Sequence, residues 1–89
     1  MTDCPMQMRL RLSVLEPVSV EIIDESHKHA GHAGARNGGG HYVLNIVSPR
    51  FTGMNTVARH RMIYSALGDL MKREIHALTV VAHTPNEIN

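Results

Sequence analysis

Seven histidines in 89 residues are the side chains best suited to chemistry in this sequence. Neutral imidazole is a good ligand for zinc, copper, nickel and iron. Three of the seven crowd into Glu25-Ser26-His27-Lys28-His29-Ala30-Gly31-His32, and His41 closes the same glycine-rich stretch. A segment holding Gly31, Gly34 and Gly38-Gly39-Gly40 can bring several imidazoles to one ion, but binding then costs ordering entropy. No metal-finger spacing is present, so on spacing alone a solvated loop stands ahead of a metal site. The second dense feature is Arg59-His60-Arg61, where His60 shares a helix face with Tyr64 one turn on. That pattern suits a half-buried helix histidine as well as a ligand. The arginines suit a phosphate held near a helix start as well as a solvated face. His76 and His83 flank the last apolar run and read as structural.

Other chemistry is poorly supplied. The single cysteine, Cys4, excludes an internal disulfide and an all-cysteine zinc or iron–sulfur site made by this chain alone. Ser26, Ser48 and Ser65 lack a nucleophile-elbow context, and Gly38-Gly39-Gly40 is not followed by the Lys-Ser/Thr of a phosphate loop. The expectation is a protein that is not an enzyme. A net charge of +1 is too small for binding nucleic acid through bulk charge, so such a site must be local, at Arg50, Arg59 and Arg61. With 43% hydrophobic and 19% charged residues, the composition is that of one folded domain spanning 1–89. No run of eighteen apolar residues and no secretory leader is visible, so no membrane association is expected. The chain is expected to be a cytoplasmic monomer, with the mitochondrion or nucleus as alternatives.

These residues need elements to position them. Residues 1–15 fit either an alternating strand or a helical stripe of Met8, Leu12 and Leu15, with Pro5 suited to a first helical turn and Glu16-Pro17 to a stop. The helix is preferred. Val18–Asp24 and His41–Ser48 alternate as strands of an antiparallel hairpin, joined by residues 26–40 as a long loop. From a cap at Asn55 or Thr56, the apolar positions Val57, Ile63, Ala66, Leu67, Leu70 and Met71 predict the main helix. His76–His83 is a third strand, closed by Thr84-Pro85. The result is an α+β fold, a small three-stranded sheet covered by helices on one face.

Several blocks together resemble the BolA family: Val20-Glu21-Ile22-Ile23-Asp24-Glu25-Ser26-His27-Lys28-His29-Ala30-Gly31-His32, Ile46-Val47-Ser48, Phe51-x-Gly53, Val57-x-Arg59-His60-Arg61-x-x-Tyr64, Ile75-His76-Ala77-Leu78 and Thr84-Pro85. The likeness covers roughly residues 15–87. It implies a fold similar to the second class of KH domains, in the order α-β-β-α-α-β, with the N-terminal segment helical. It further implies partnership with a monothiol glutaredoxin and a role in iron–sulfur cluster trafficking or iron regulation. The implied cofactor is a [2Fe–2S] cluster shared with the glutaredoxin and glutathione, none being expected on the isolated chain. By the same resemblance His60 is the helix ligand, and His32 is the first choice for the loop ligand with His41 as competitor. The family also includes members described as DNA-binding transcriptional regulators. The KH clamp, however, needs a GXXG turn, and Phe51-Thr52-Gly53-Met54 has only Gly53.

Overall fold

The structure is a computed structural model and describes residues 4–25 and 40–88. In chain order these form α1 (Cys4–Leu12), β1 (Ser19–Asp24), β2 (Gly40–Val47), α2 (Thr56–Leu67) and β3 (Ile75–His83). Short 3-10 turns occupy Ser13–Leu15, Pro49–Phe51, Gly68–Lys72 and Pro85–Ile88. The sheet order is β1-β2-β3, with β1 antiparallel and β2 parallel to its respective neighbour, β2 and β3. This is the expected small α+β fold. Among the described residues no helix is long and apolar enough to cross a membrane.

Alternation along the strands decides which face is covered. Tyr42, Leu44 and Ile46 of β2 point to one side, where Met8 and Leu12 of α1, Leu15, Phe51, and Ile63 and Leu67 of α2 complete the core. His41, Val43 and Asn45 point to the other, uncovered side and are only half-buried. Phe51 is fully buried, and its truncation to alanine costs about 3–5 kcal/mol.

The helices begin and end for local reasons. The α2 start is capped by Asn55, whose side-chain oxygen accepts the Ala58 N–H at 2.9 Å. The apolar periodicity suggests one helix running on to Met71, but α2 stops at Leu67 because Gly68 turns to φ 59°. Arg11 caps that end, donating to the Leu67 carbonyl at 3.0 Å and pairing with Asp69 at 3.2 Å. Where the resemblance implies a further helix before the last strand, Gly68–Lys72 forms a 3-10 turn. The segment after α1 closes at Glu16, which takes φ 50°.

The C-terminal turn is strapped to α2 by Arg59. Its guanidinium donates to both carboxylate oxygens of Glu87 at 2.7 Å. It also donates to the carbonyls of Met54 at 2.9 Å and Ala82 at 3.0 Å. The Arg59 side chain is only 13% exposed, and its guanidinium carbon lies 5.9 Å from the centroid of the Phe51 ring. Glu87 also accepts the Thr84 N–H at 2.9 Å. The Arg59 hydrogen bonds, and after them that backbone N–H, hold the Glu87 carboxyl at about 2 against an ordinary 4.5, in spite of partial desolvation.

Two outcomes follow. A carboxyl with a lowered folded pKa stabilises the fold fully above its unfolded value and loses that contribution as pH falls through its folded value. Glu87→Gln is therefore expected to flatten the pH dependence of the unfolding midpoint between 4.5 and about 2, read by thermal melts across that range. A residual slope remains from Asp69, whose pKa is also lowered, chiefly by hydrogen bonds from Arg11 and then Arg73. At Gly40, a Cβ would lie 2.5–2.6 Å from the ring and hydroxyl of the buried Tyr42. Gly40→Ala is expected to cost about 1–3 kcal/mol, seen as a lower denaturant midpoint with an unchanged slope.

Candidate functional site

The start of β3 breaks the strand rhythm, and that break places a histidine. Gly40 pairs with Ile75 and His41 pairs with Ala77, so His76 is an extra residue in a β-bulge. Leu78, Val80 and Ala82 pack against the core. Unbroken alternation would put His76 with them. The extra residue instead lets Ile75 be buried and leaves His76 exposed. There its ring meets that of His41, the first side chain of β2 on the uncovered face, with centroids 5.0 Å apart and planes at 41°.

That separation lies within ordinary ring packing and is also compatible with two imidazoles on one ion. A ligating imidazole nitrogen sits about 2 Å from a metal in tetrahedral sites, which puts two ring centroids on one ion roughly 5 Å apart. His41 and His76 are thus the two histidines that the described residues bring into ring contact. Among the described residues no group of three or more His, Cys, Asp or Glu side chains is placed to hold a metal ion. Cys4 is a half-buried residue of α1 packed on the core.

His60 occupies a different place. It is half-buried on the second turn of α2, its ring centroid 6.2 Å from that of Tyr64. It lines a cleft of about 200 Å³ with Thr56, Arg59 and the β3 residues Val80–His83. His41 lies level with Ala77, three to six residues back along β3 from that cleft. At strand spacing this is about 10–20 Å. The fold therefore brings His41 to His76 and not to His60. His32 lies outside the described residues, as do His27 and His29.

Of the three arginines expected to contact nucleic acid, two are held by carboxylates. Arg59 is engaged with Glu87 on the β3 side of α2. Arg50 donates two hydrogen bonds to one oxygen of Glu16, at 2.6 and 2.9 Å. Arg61 lines a separate apolar groove with Val14, Leu15, Met54 and Met62 on the other flank of α2. The pairing of Arg59 with Glu87 was not foreseeable from spacing. The outward turn of His76 had one visible signal: Ile75 and Leu78 are three residues apart in a strand whose other core positions are two apart.

Comparison with known proteins agrees with this fold. The family model for BolA-like proteins matches residues 12–87. SufE-like protein 1, chloroplastic/mitochondrial, of Arabidopsis thaliana is 45% identical over 89 residues, covering 91% of this chain and 24% of that protein. The DNA-binding transcriptional regulator BolA of Escherichia coli is 39% identical over 75 residues, covering 84% of this chain and 69% of that one. The chain thus spans about a quarter of the first relative and about two thirds of the second. The solved structure of BolA1 from Arabidopsis thaliana superposes with a TM-score of 0.83 at 41% identity, covering 98% of this chain and 97% of that chain. On sequence and on fold alike, the chain belongs to the BolA-like family.

Proposed function

We propose that the chain is a non-enzymatic adaptor that pairs with a monothiol glutaredoxin and helps hold a shared [2Fe–2S] cluster through His41 and His76. The observation that carries this reading is the 5.0 Å spacing of the two rings at an open end of the sheet. Two imidazoles on one iron, with the glutaredoxin cysteine and a glutathione thiol on the other, give the donor distribution of a Rieske centre, which raises the reduction potential. A chain with one cysteine, and that in α1, has no cysteine set to offer. The bulge does the positioning: it holds His76 on the exposed side, while β2 fixes His41 in register beside it. His60 and the loop histidine His32 are then not required as ligands, although the resemblance alone nominates them. The name of the SufE-like relative supports an organellar compartment for this chain beside the cytoplasmic one.

A nucleic-acid-binding regulator is the second reading, favoured by the name of the Escherichia coli relative. Paired Arg50 and Arg59 weigh against it. Its signature is duplex DNA binding that falls steeply with salt and weakens in Arg61→Ala.

The test is anaerobic cluster reconstitution with a monothiol glutaredoxin and glutathione, followed by visible circular dichroism. His41→Ala and His76→Ala are each expected to abolish the spectrum that distinguishes the heterocomplex from the glutaredoxin homodimer. His60→Ala is expected to retain it. A spectrum kept in His76→Ala and lost in His60→Ala or His32→Ala would return the ligand role to the helix and loop histidines.

A further inference from the structure

Each edge of the sheet is bridged by one arginine at one carbonyl, and the β3 edge adjoins a cleft. An edge strand presents unpaired N–H and C=O groups, and proteins normally cover or blunt them. On β1, Glu25 donates to His41 across the pair, so by alternation Val20, Ile22 and Asp24 carry the outward-facing amides. Arg9 reaches over from α1 and donates to the Val20 carbonyl at 3.0 Å, in the body of that six-residue strand. On β3, the His83 carbonyl accepts the Ser48 N–H from the β2 side at 2.9 Å. Leu78, Val80 and Ala82 therefore turn their amides outward, away from β2. Arg59 covers only the Ala82 carbonyl, at the far end. The outward N–H and C=O groups of Leu78 and Val80, and the N–H of Ala82, have no hydrogen-bond partner among the described residues.

The uncovered stretch runs along the cleft that contains His60. Its polar lining is Thr56, Arg59, His60 and His83, each able to donate a hydrogen bond, with no carboxylate among them. The nearest carboxylate, Glu87, is already taken by Arg59 and the Thr84 N–H, with His83 Nδ1 3.5 Å away. A side chain entering from an added strand would therefore meet donors, and a carboxylate matches them.

We propose that the outer edge of β3 at Leu78–Ala82 accepts an extended segment of a protein partner as an additional strand, with one carboxylate side chain of that segment seated against His60 and Thr56. Main-chain bonds to Leu78, Val80 and Ala82 supply the affinity, and the cleft supplies the side-chain preference. The bulge at His76 and the Arg59 cap at Ala82 set the two ends of the stretch. This surface is independent of any cluster held by His41 and His76.

The test uses the full chain and a short blocked peptide of alternating threonine and valine with one central glutamate, followed by amide hydrogen exchange. The amides of Leu78, Val80 and Ala82 are expected to exchange freely in the free chain. With peptide bound, their exchange is expected to slow about tenfold or more. Replacing the central glutamate with glutamine is expected to weaken binding about tenfold, the size of a lost charge-assisted hydrogen bond. Methylating the peptide backbone nitrogens is expected to abolish binding. Ala82→Pro removes an outward N–H without touching the β2–β3 ladder, and it is expected to lose binding. Ala82→Ser is a second variant that keeps the N–H and is expected to retain binding. No binding, binding that leaves these three amides unprotected, equal binding of the glutamine peptide, or protection that arises without peptide through self-association would each overturn the proposal.

Discussion

Everything in this molecule hangs on the parallel pairing of β2 with β3. Parallel neighbours cannot be joined by a tight turn, so the chain must travel back the length of the sheet before β3 begins. Residues 48–74 make that return, and α2 is its body. The crossover has two effects. It lays Ile63 and Leu67 over Leu44 and Ile46, which closes the core on one face only. It also starts β2 and β3 at the same end of the sheet, so His41 and His76, at or next to the first positions of their strands, become neighbours. His60, near the beginning of α2, is carried to the opposite end beside Val80–His83.

The same return path explains the two arginine clasps. Arg11 ties α1 to the end of α2 at the Leu67 carbonyl and Asp69. Arg59 ties the start of α2 to the end of β3 and to Glu87. Each guanidinium satisfies backbone carbonyls that no regular element reaches, and each is matched by a carboxylate. Arginine suits both sites because its planar fork can serve a carbonyl and a carboxylate together. The consequence for charge is local neutrality along α2, with Arg61 left on the groove flank.

Much of this was legible in the residues. The alternation in β1 and β2, the Asn55 cap and the helical stripe through Ile63 and Leu67 are local signals, and they mark elements within a residue or two of where they lie. The resemblance through Arg59-His60-Arg61 and Ile75-His76-Ala77-Leu78 identifies the family outright. The end of α2 at Leu67 was hidden because Leu70 and Met71 continue the apolar spacing while Gly68 alone breaks the backbone. The His41–His76 pair was hidden for a different reason. The three-residue spacing of Ile75 and Leu78 hints that His76 turns outward, but its meeting with His41 depends on register between strands far apart in sequence, which no local pattern encodes. The dense histidine block and His60 stand out in the sequence by composition and spacing, whereas His76 is flanked by apolar residues and does not.

The bulge also makes the start of β3 sensitive to length as well as to identity. Between Ile75 and Leu78 the strand holds two residues where regular alternation holds one. Deleting His76 or Ala77 would make the spacing two and adding a residue would make it four; either restores plain alternation with both anchors inward and removes the need for the bulge. A conservative substitution such as Ala77→Ser leaves the spacing intact. The odd spacing of the two apolar anchors is thus what the bulge absorbs, and it is what turns His76 out beside His41 while Ile75 and Leu78 stay on the core side.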